Sequence, residues 1–232
     1  MRISWVLAGL SVSFAAASVR PVNARAEEPA PRGTVYRVAA VGDSLTDVKV
    51  GGGLYLEYLS ERCPKSQFDA FGKGGEMVNQ MRKRFVRDLW DGTRPPYTHV
   101  IVFGGVNDLY SDLTAGRTVK KIERDLGAMY AAAREHGAKV VAIDVAPWGG
   151  FKKYFTDLRA ETTHELNAWI LAQPKAGTVD SAVDAHALLS CGDAEVLCPA
   201  FAKPHKDGLH FGPEGHRKLA AALADAVFSD CL

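Results

Sequence analysis

The 232-residue sequence lacks an excess of charge of one sign. It holds 28 Lys and Arg against 27 Asp and Glu, a formal net charge of +1. A strongly basic surface for nucleic acid or for an anionic membrane is therefore excluded. The sequence also lacks an apolar run of the ~20 residues that cross a bilayer, since its longest run, near the N-terminus, has about 15 mainly apolar residues.

Motifs for metal and nucleotide binding are also missing. The four cysteines, Cys63, Cys191, Cys198 and Cys231, form no C-x-x-C pair of the kind that binds zinc. The stretch "GKGGE" lacks the G-K-[ST] ending of a phosphate-binding loop, and no G-x-S-x-G nucleophile elbow is present. The histidines near the C-terminus, His205, His210 and His216, have no accompanying set of carboxylates, so we expect neither a metal nor another cofactor.

The N-terminus has the features of a secretory signal. Arg2 precedes the apolar run, and "NARA" places Ala24 and Ala26 in an A-x-A arrangement. We predict a signal peptide over residues 1–26, a proline-rich linker over 27–34 and one domain over 35–232. Cleavage would leave 25 basic and 27 acidic residues, a formal charge of −2. The mature protein is then expected outside the cell, in the periplasm or in the cell envelope, without stable membrane insertion.

An even number of cysteines in an exported chain favours disulfide bonds. Cys191 and Cys198 are close in sequence and are the expected pair. Cys63 and Cys231 remain as a second pair, although their separation in space cannot be inferred from the sequence.

Strand-like and helix-like segments alternate from residue 35 onward. Five segments rich in Val, Ile and Phe are predicted as strands, at residues 35–42, 67–72, 99–105, 138–147 and 178–186. The segments between them repeat apolar residues with helical spacing. This order predicts an α/β fold, a three-layer α/β/α sandwich around a doubly wound parallel sheet of about five strands.

In such a sheet, functional residues collect where strands end. Ser44 follows the first predicted strand in "GDSLTD", and Asp207 lies three residues before His210 in "DGLH". A serine becomes a strong nucleophile when a histidine takes its proton and a carboxylate orients that histidine. Ser44, His210 and Asp207 are therefore predicted as catalytic residues.

A negative charge that develops on an ester oxygen needs hydrogen-bond donors. Candidates stand at three strand ends: the Ser44 N–H, the Gly75 N–H in "GKGGEM" and the side-chain amide of Asn107 in "GGVND". A glycine allows substrate to approach the backbone closely. Gly74 remains an alternative to Gly75.

Together these blocks resemble an SGNH hydrolase of the GDSL esterase and lipase family. "GDSLTD", "GKGGEM", "GGVND" and "DGLHFGPEGH" stand in the family's order, and the resemblance runs from about Val35 to the C-terminal helix. It implies a flavodoxin-like fold, Ser44 as nucleophile, His210 as base with Asp207 as its orienter, and no metal cofactor. Any one of these residues alone would more simply be a turn or helix-cap residue.

The substrate is predicted to be a small-molecule or polysaccharide ester. Export favours extracellular or envelope esters, such as acetylated polysaccharides, and the sequence has no long hydrophobic lid segment, which favours short acyl groups. A lysophospholipase, a lipase or an acyltransferase of the same fold is the alternative, and a noncatalytic carbohydrate-binding domain is an alternative of another class. Trp148, after the fourth predicted strand, could line a substrate pocket or pack in the core. The sequence leaves the oligomeric state open.

Overall fold

A computed structural model describes Met1 and residues 33–232. The predicted signal peptide, and all but the last two residues of the predicted linker, therefore lie outside the described residues apart from Met1. Within the described part, no helix combines the length and apolar character that crossing a membrane requires.

Seven strands and nine α-helices make up the described chain. The strands are β1 (Arg37–Gly42), β2 (Gln67–Gly72), β3 (His99–Phe103), β4 (Lys139–Ile143), β5 (Ser181–Val183), β6 (Ser190–Cys191) and β7 (Asp193–Leu197). The helices are α1 (Leu54–Arg62), α2 (Val78–Leu89), α3 (Val106–Tyr110), α4 (Asp112–Ala115), α5 (Val119–Glu135), α6 (Asp157–Ala172), α7 (Ala185–Leu189), α8 (Pro199–Ala202) and α9 (Pro213–Ala226).

The longer helices begin and end at residues suited to those positions. Thr118 and Thr156 cap α5 and α6, each accepting a hydrogen bond from a backbone N–H of the first turn. Pro213 occupies the first turn of α9, where a missing N–H costs nothing. Gly137 follows α5 with a φ of +79°, a conformation that ends helices and favours glycine.

The first five strands form one parallel sheet in the order β2-β1-β3-β4-β5. This is the flavodoxin-like order, in which ligands bind beside the carboxyl ends of β1 and β3, where the strand order reverses. Gly42 at the end of β1 pairs with Gly72 of β2 and with Phe103 of β3. The loops after these three strands therefore leave the sheet side by side.

Side chains alternate between the two faces of this sheet, as the predicted sandwich requires. Ala39 and Val41 of β1 belong to a core that includes residues of α2, α5 and α6. Val38 and Ala40 point to the opposite core, which includes residues of α1 and α9. The predicted three-layer architecture is confirmed.

The fifth predicted strand is much shorter than residues 178–186. β5 ends at Val183 because Asp184 caps α7, its side chain accepting a hydrogen bond from the Ala187 N–H at 2.7 Å. The chain then forms the antiparallel hairpin β6–β7, which the sequence pattern did not predict.

Two disulfides join the four cysteines. Cys191–Cys198 spans the hairpin with a Cα–Cα distance of 4.9 Å, and Cys63–Cys231 links the end of α1 to the C-terminus at 5.3 Å. These are the two pairs expected from the sequence.

Candidate active site

Ser44 lies in a tight turn between β1 and a short 3₁₀ helix (Val48–Val50). The Asp43 carbonyl accepts hydrogen bonds from the N–H groups of Thr46 and Asp47, and the Asp43 side chain accepts one from the Leu45 N–H at 3.0 Å. Because Asp43 is 1% exposed, these bonds hold the turn from inside the protein. They leave the serine side chain facing the cleft at the end of the sheet.

The three predicted catalytic residues form one hydrogen-bonded chain. Ser44 Oγ lies 2.8 Å from His210 Nε2, and His210 Nδ1 lies 2.7 Å from Asp207 Oδ2. The sequence distance from Ser44 to His210 is 166 residues, so folding alone brings them together. This arrangement can pass the serine proton to the histidine while the carboxylate fixes the histidine ring.

Asp207 also shapes its own loop. Its Oδ1 accepts the N–H groups of Leu209 and His210, both at 2.9 Å. Partial burial raises the pKa of Asp207, but the hydrogen bonds from Leu209 and from the backbone and ring of His210 outweigh it, and the pKa lies below its usual value. The carboxylate therefore stays charged beside the His210 ring.

Two unpaired backbone donors belong to residues that line the cleft around Ser44. Neither the Ser44 N–H nor the Gly75 N–H has a hydrogen-bond partner within the described residues. The Gly74 N–H, in contrast, donates to Asp47 Oδ2 at 2.9 Å. Gly75 has a φ of +76°, which favours glycine at this position. This geometry supports Gly75 over Gly74 as the second donor.

Asn107 is the third predicted donor, and it is buried at the first turn after β3. Its Nδ2 donates to the Glu76 carbonyl at 2.9 Å and to Asp43 Oδ2 at 3.3 Å. The second bond is long and correspondingly weak. An oxyanion in the cleft would compete with Asp43 for that hydrogen.

The charge of Asp43 therefore affects how readily the Asn107 amide can donate to an oxyanion. Burial raises its pKa to about 7, despite the opposing effects of the Leu45 N–H and of the nearby His210. A protonated Asp43 attracts the Asn107 amide less strongly than a carboxylate does. No local sequence pattern indicates this coupling between the nucleophile turn and the third strand end.

A buried ion pair supports the segment that carries Gly75. Glu76 Oε2 accepts from Arg84 Nε at 2.7 Å, and another Arg84 nitrogen donates to the Phe71 carbonyl at 2.8 Å. Arg84 belongs to the basic cluster "RKRFVR", and basic clusters on helices are usually exposed to solvent. Arg84 is only 8% exposed, because its partners lie in the loop and strand next to α2.

The cleft around Ser44 has a volume of ≈ 410 Å³. Its lining residues are Ser44, Val50, Gly74, Gly75, Asn107, Tyr110, Phe151, His205, Leu209 and His210. All the predicted catalytic and donor residues except Asp207, which lies behind His210, are among them.

Trp148, a candidate for the pocket or the core from the sequence, packs in the core and does not line the cleft. It is 1% exposed, and its Nε1 donates to Thr163 Oγ1 at 3.0 Å. Satisfying the indole N–H inside the protein turns the ring away from the cleft. Phe151, three residues later, lines the cleft and packs against Tyr110 with ring centroids 6.0 Å apart.

The sequence matches the GDSL-like Lipase/Acylhydrolase family over residues 40–218. No curated protein matches the chain. Among solved structures, a candidate acylhydrolase from Bacteroides fragilis is similar with a TM-score of 0.68 and 22% identity, over 86% of this chain and 90% of that one.

Two further solved structures share the fold. A GDSL-like lipase from Bacteroides thetaiotaomicron has a TM-score of 0.64 and 21% identity, over 82% of this chain and 86% of that one. A catalytic mutant of an acetylxylan esterase from Geobacillus stearothermophilus has a TM-score of 0.64 and 15% identity, over 84% and 95%.

Proposed function

The chain belongs to the GDSL-like lipase/acylhydrolase family and is a hydrolase that acts on ester bonds. We propose that it is a secreted serine esterase. In this proposal Ser44 is the nucleophile, His210 the general base and Asp207 the residue that orients it. The observation that carries the proposal is the unbroken hydrogen-bonded chain from Ser44 Oγ through His210 to Asp207.

The reaction begins when His210 Nε2 takes the Ser44 proton as Oγ attacks the ester carbonyl carbon. The carbonyl oxygen becomes negative and accepts hydrogen bonds from the Ser44 N–H, the Gly75 N–H and the Asn107 amide. Collapse of this intermediate breaks the bond to the alcohol, which leaves with the proton held by His210. The acyl group then remains on Ser44 Oγ.

Water completes the cycle. His210 removes a proton from the water as its oxygen attacks the acyl-enzyme, and the same three donors stabilise the second oxyanion. The acid product leaves, and the proton returns to Ser44 Oγ. Asp207 keeps its charge throughout, because its hydrogen bonds hold its pKa low.

The cleft supports a short acyl group on a carbohydrate. Tyr110 and Phe151 form a partly exposed aromatic wall beside Ser44, and such rings stack on the apolar face of a sugar. The acetylxylan esterase among the structural neighbours is consistent with this choice. We therefore propose acetylated polysaccharide as the substrate class.

Export is the second part of the proposal. The basic, apolar and A-x-A segments of residues 1–26 support a cleaved signal peptide. Two disulfides are consistent with an oxidising compartment.

A chain-length series of p-nitrophenyl esters, run beside a deacetylation assay on acetylated xylan, tests the substrate class. We expect the highest kcat/KM for acetate and release of acetate from the polymer. A preference for long acyl chains would favour the lipase or lysophospholipase alternative, and acyl transfer to an added alcohol in place of water would favour an acyltransferase. Ser44→Ala is the control, and a wild-type protein without turnover of any ester would indicate the noncatalytic alternative.

A further inference from the structure

Three side chains that can bind a metal meet away from the residues that line the cleft around Ser44. His164 lies on α6, His186 on α7 and Glu195 on β7. One nitrogen or oxygen from each lies within 4.8 Å of the others, and His164 Nε2 is 2.7 Å from Glu195 Oε1. Three separate elements therefore converge on one point outside the catalytic cleft.

Two atoms of this cluster are buried and lack partners. Neither His186 Nε2 nor Glu195 Oε2 has a hydrogen-bond partner within the described part of the chain. His186 is 8% exposed, so water reaches its ring poorly. A buried polar atom left unpaired costs about 1–3 kcal/mol. A simple ion pair between His164 and Glu195 would not relieve either atom.

We propose that His164, His186 and Glu195 bind a divalent transition-metal ion of the zinc type. Two imidazoles and one carboxylate are a zinc ligand set, completed by water in the fourth position. Magnesium and calcium are disfavoured because they prefer oxygen ligands only. The metal would supply the missing partner for His186 and replace the proton shared by His164 and Glu195.

Binding requires a rearrangement of the three side chains. In a tetrahedral site with bonds of about 2.0–2.2 Å, neighbouring ligand atoms lie about 3.3 Å apart. The His164–Glu195 contact must open by about 0.6 Å from 2.7 Å, and a pair at the 4.8 Å limit would have to close by about 1.5 Å. The His164 side chain is 52% exposed, which leaves it free to move and leaves the metal an entry path.

The position of the cluster gives the metal a role in holding the active-site loop. The Glu195 carbonyl accepts a hydrogen bond from the Gly149 N–H. The neighbouring Gly150 packs so closely on Gly208 that an added Cβ on Gly150 would come within 2.7 Å of the Gly208 Cα. Gly208 is flanked by Asp207 and Leu209. A metal that fixes β7 against α6 and α7 thus steadies the loop that presents His210, without touching substrate.

Zinc binding to the intact protein tests the proposal. The protein is stripped with a chelator, equilibrated with ZnCl₂ and dialysed, and the zinc bound per chain is measured together with the melting temperature. We expect one zinc per chain and a higher melting temperature with zinc, since a ligand that binds the folded state stabilises it. His164→Gln and Glu195→Gln should each weaken zinc binding at least about tenfold and reduce the shift in melting temperature.

Matched variants separate this site from other histidines. His136→Gln changes an exposed histidine on the far end of α5 and should bind zinc as wild type does. His210→Gln removes the histidine of the cleft and should also keep the bound zinc. His164 is largely exposed, so its variant should fold even if a change at the buried His186 does not.

The proposal is overturned if wild type and the His164→Gln and Glu195→Gln variants bind the same amount of zinc with the same affinity. It is equally overturned if wild type binds no zinc, or if His210→Gln alone abolishes binding, which would place the metal in the cleft.

Discussion

The two halves of the candidate active site are held in different ways. The nucleophile half, with the proposed nucleophile Ser44 and the proposed donors Gly75 and Asn107, lies at the ends of three adjacent parallel strands and is fixed from beneath by buried polar groups such as Asp43 and Glu76. The base half, with the proposed pair Asp207 and His210, lies on a partly exposed connection between α8 and α9. The sheet sets the geometry of the first half, whereas the second depends on loop-to-loop packing.

This contrast has a consequence for mutagenesis. Changes to the cleft-facing atoms of the nucleophile half should reduce turnover with little loss of stability, because the sheet remains. Changes to the packing of the base half should move the His210 ring, and so affect turnover and stability together.

The largest effect is expected at the link between the halves. Ser44→Ala and His210→Ala should each lower kcat by roughly 10⁴-fold or more, and the double variant should lose little beyond either single one, since members of one catalytic unit are not additive. Asp207→Ala should be less damaging. Steady-state kinetics on p-nitrophenyl acetate measures this, with His136→Gln as control. Near wild-type rates for His210→Ala would show that another group is the base.

The next effect belongs to the nucleophile half. Asn107→Ala should lower kcat by about 10²- to 10³-fold, about 2.7–4 kcal/mol, with KM changed only a few-fold, because its bond strengthens as charge develops. Asn107→Asp should be at least as damaging, since an ionised carboxylate cannot donate. Loss of the bond to the Glu76 carbonyl should cost only about 1 kcal/mol of stability.

Kinetics combined with thermal melting of the Asn107 variants separates the two roles. Full kcat with a strongly lowered melting temperature would make Asn107 a turn-forming residue and remove it from the donor set.

The base half should be disrupted by a change in its backbone packing. Gly208 has a φ of +73°, and a Cβ there would lie 2.0 Å from the Gly150 carbonyl carbon. Gly208→Ala should therefore lower the free energy of unfolding by roughly 1–3 kcal/mol and also lower kcat, because Asp207 and His210 must move with it.

Gly137→Ala is the matched control for this change. Gly137 has a similar φ of +79° but nothing within 4 Å of its added Cβ. The alanine there therefore has only the cost of a positive φ and no steric clash. It should reduce stability and leave kcat unchanged. Equal effects of the two variants on kcat would mean that the contact between Gly150 and Gly208 does not position the base.

The nucleophile half should also give the stability a pH dependence of roughly 1 kcal/mol per pH unit. Burial raises the pKa of folded Asp43 from 3.8 to about 7, so the folded protein keeps a proton that the unfolded chain releases. The contribution of this proton to the free energy of unfolding is greatest below about pH 3.8 and is lost as the pH rises through about 7.

Asp43→Asn should remove this dependence. Between pH 4 and 7, wild type should lose stability relative to Asp43→Asn by roughly 1 kcal/mol per pH unit. Urea unfolding at several pH values measures the difference, in which other titrating groups cancel. Parallel stability profiles for the two proteins would show that folded Asp43 is already ionised in this range.

The same contrast explains what the sequence could predict. Ser44, Gly75 and Asn107 lie just beyond strand ends, so strand periodicity together with the GDSL-type blocks is enough to locate them. The short spacing of Asp207 and His210 likewise indicates one loop that holds both. These predictions depend on local patterns, which a sequence records.

What the sequence did not predict depends on distant contacts. The orientation of the Trp148 ring depends on its hydrogen bond to Thr163 on α6. The burial of Arg84 depends on its bonds to Glu76 and to the Phe71 carbonyl. The convergence of His164, His186 and Glu195 has no sequence signal either, because three separate elements bring them together. The packing of Gly150 on Gly208, which supports the base half, is of the same kind.

The central claim is that an acyl group passes through Ser44. It is tested most directly by quenching wild-type enzyme with acid within the first turnover of p-nitrophenyl acetate and locating the acetyl group by peptide mass spectrometry. The account predicts one acetyl group on Ser44, within the tryptic peptide of residues 38–49, and none on the Ser44→Ala protein. An acetyl group on another residue that forms and decays at the rate of turnover, or wild-type turnover by Ser44→Ala, would contradict it.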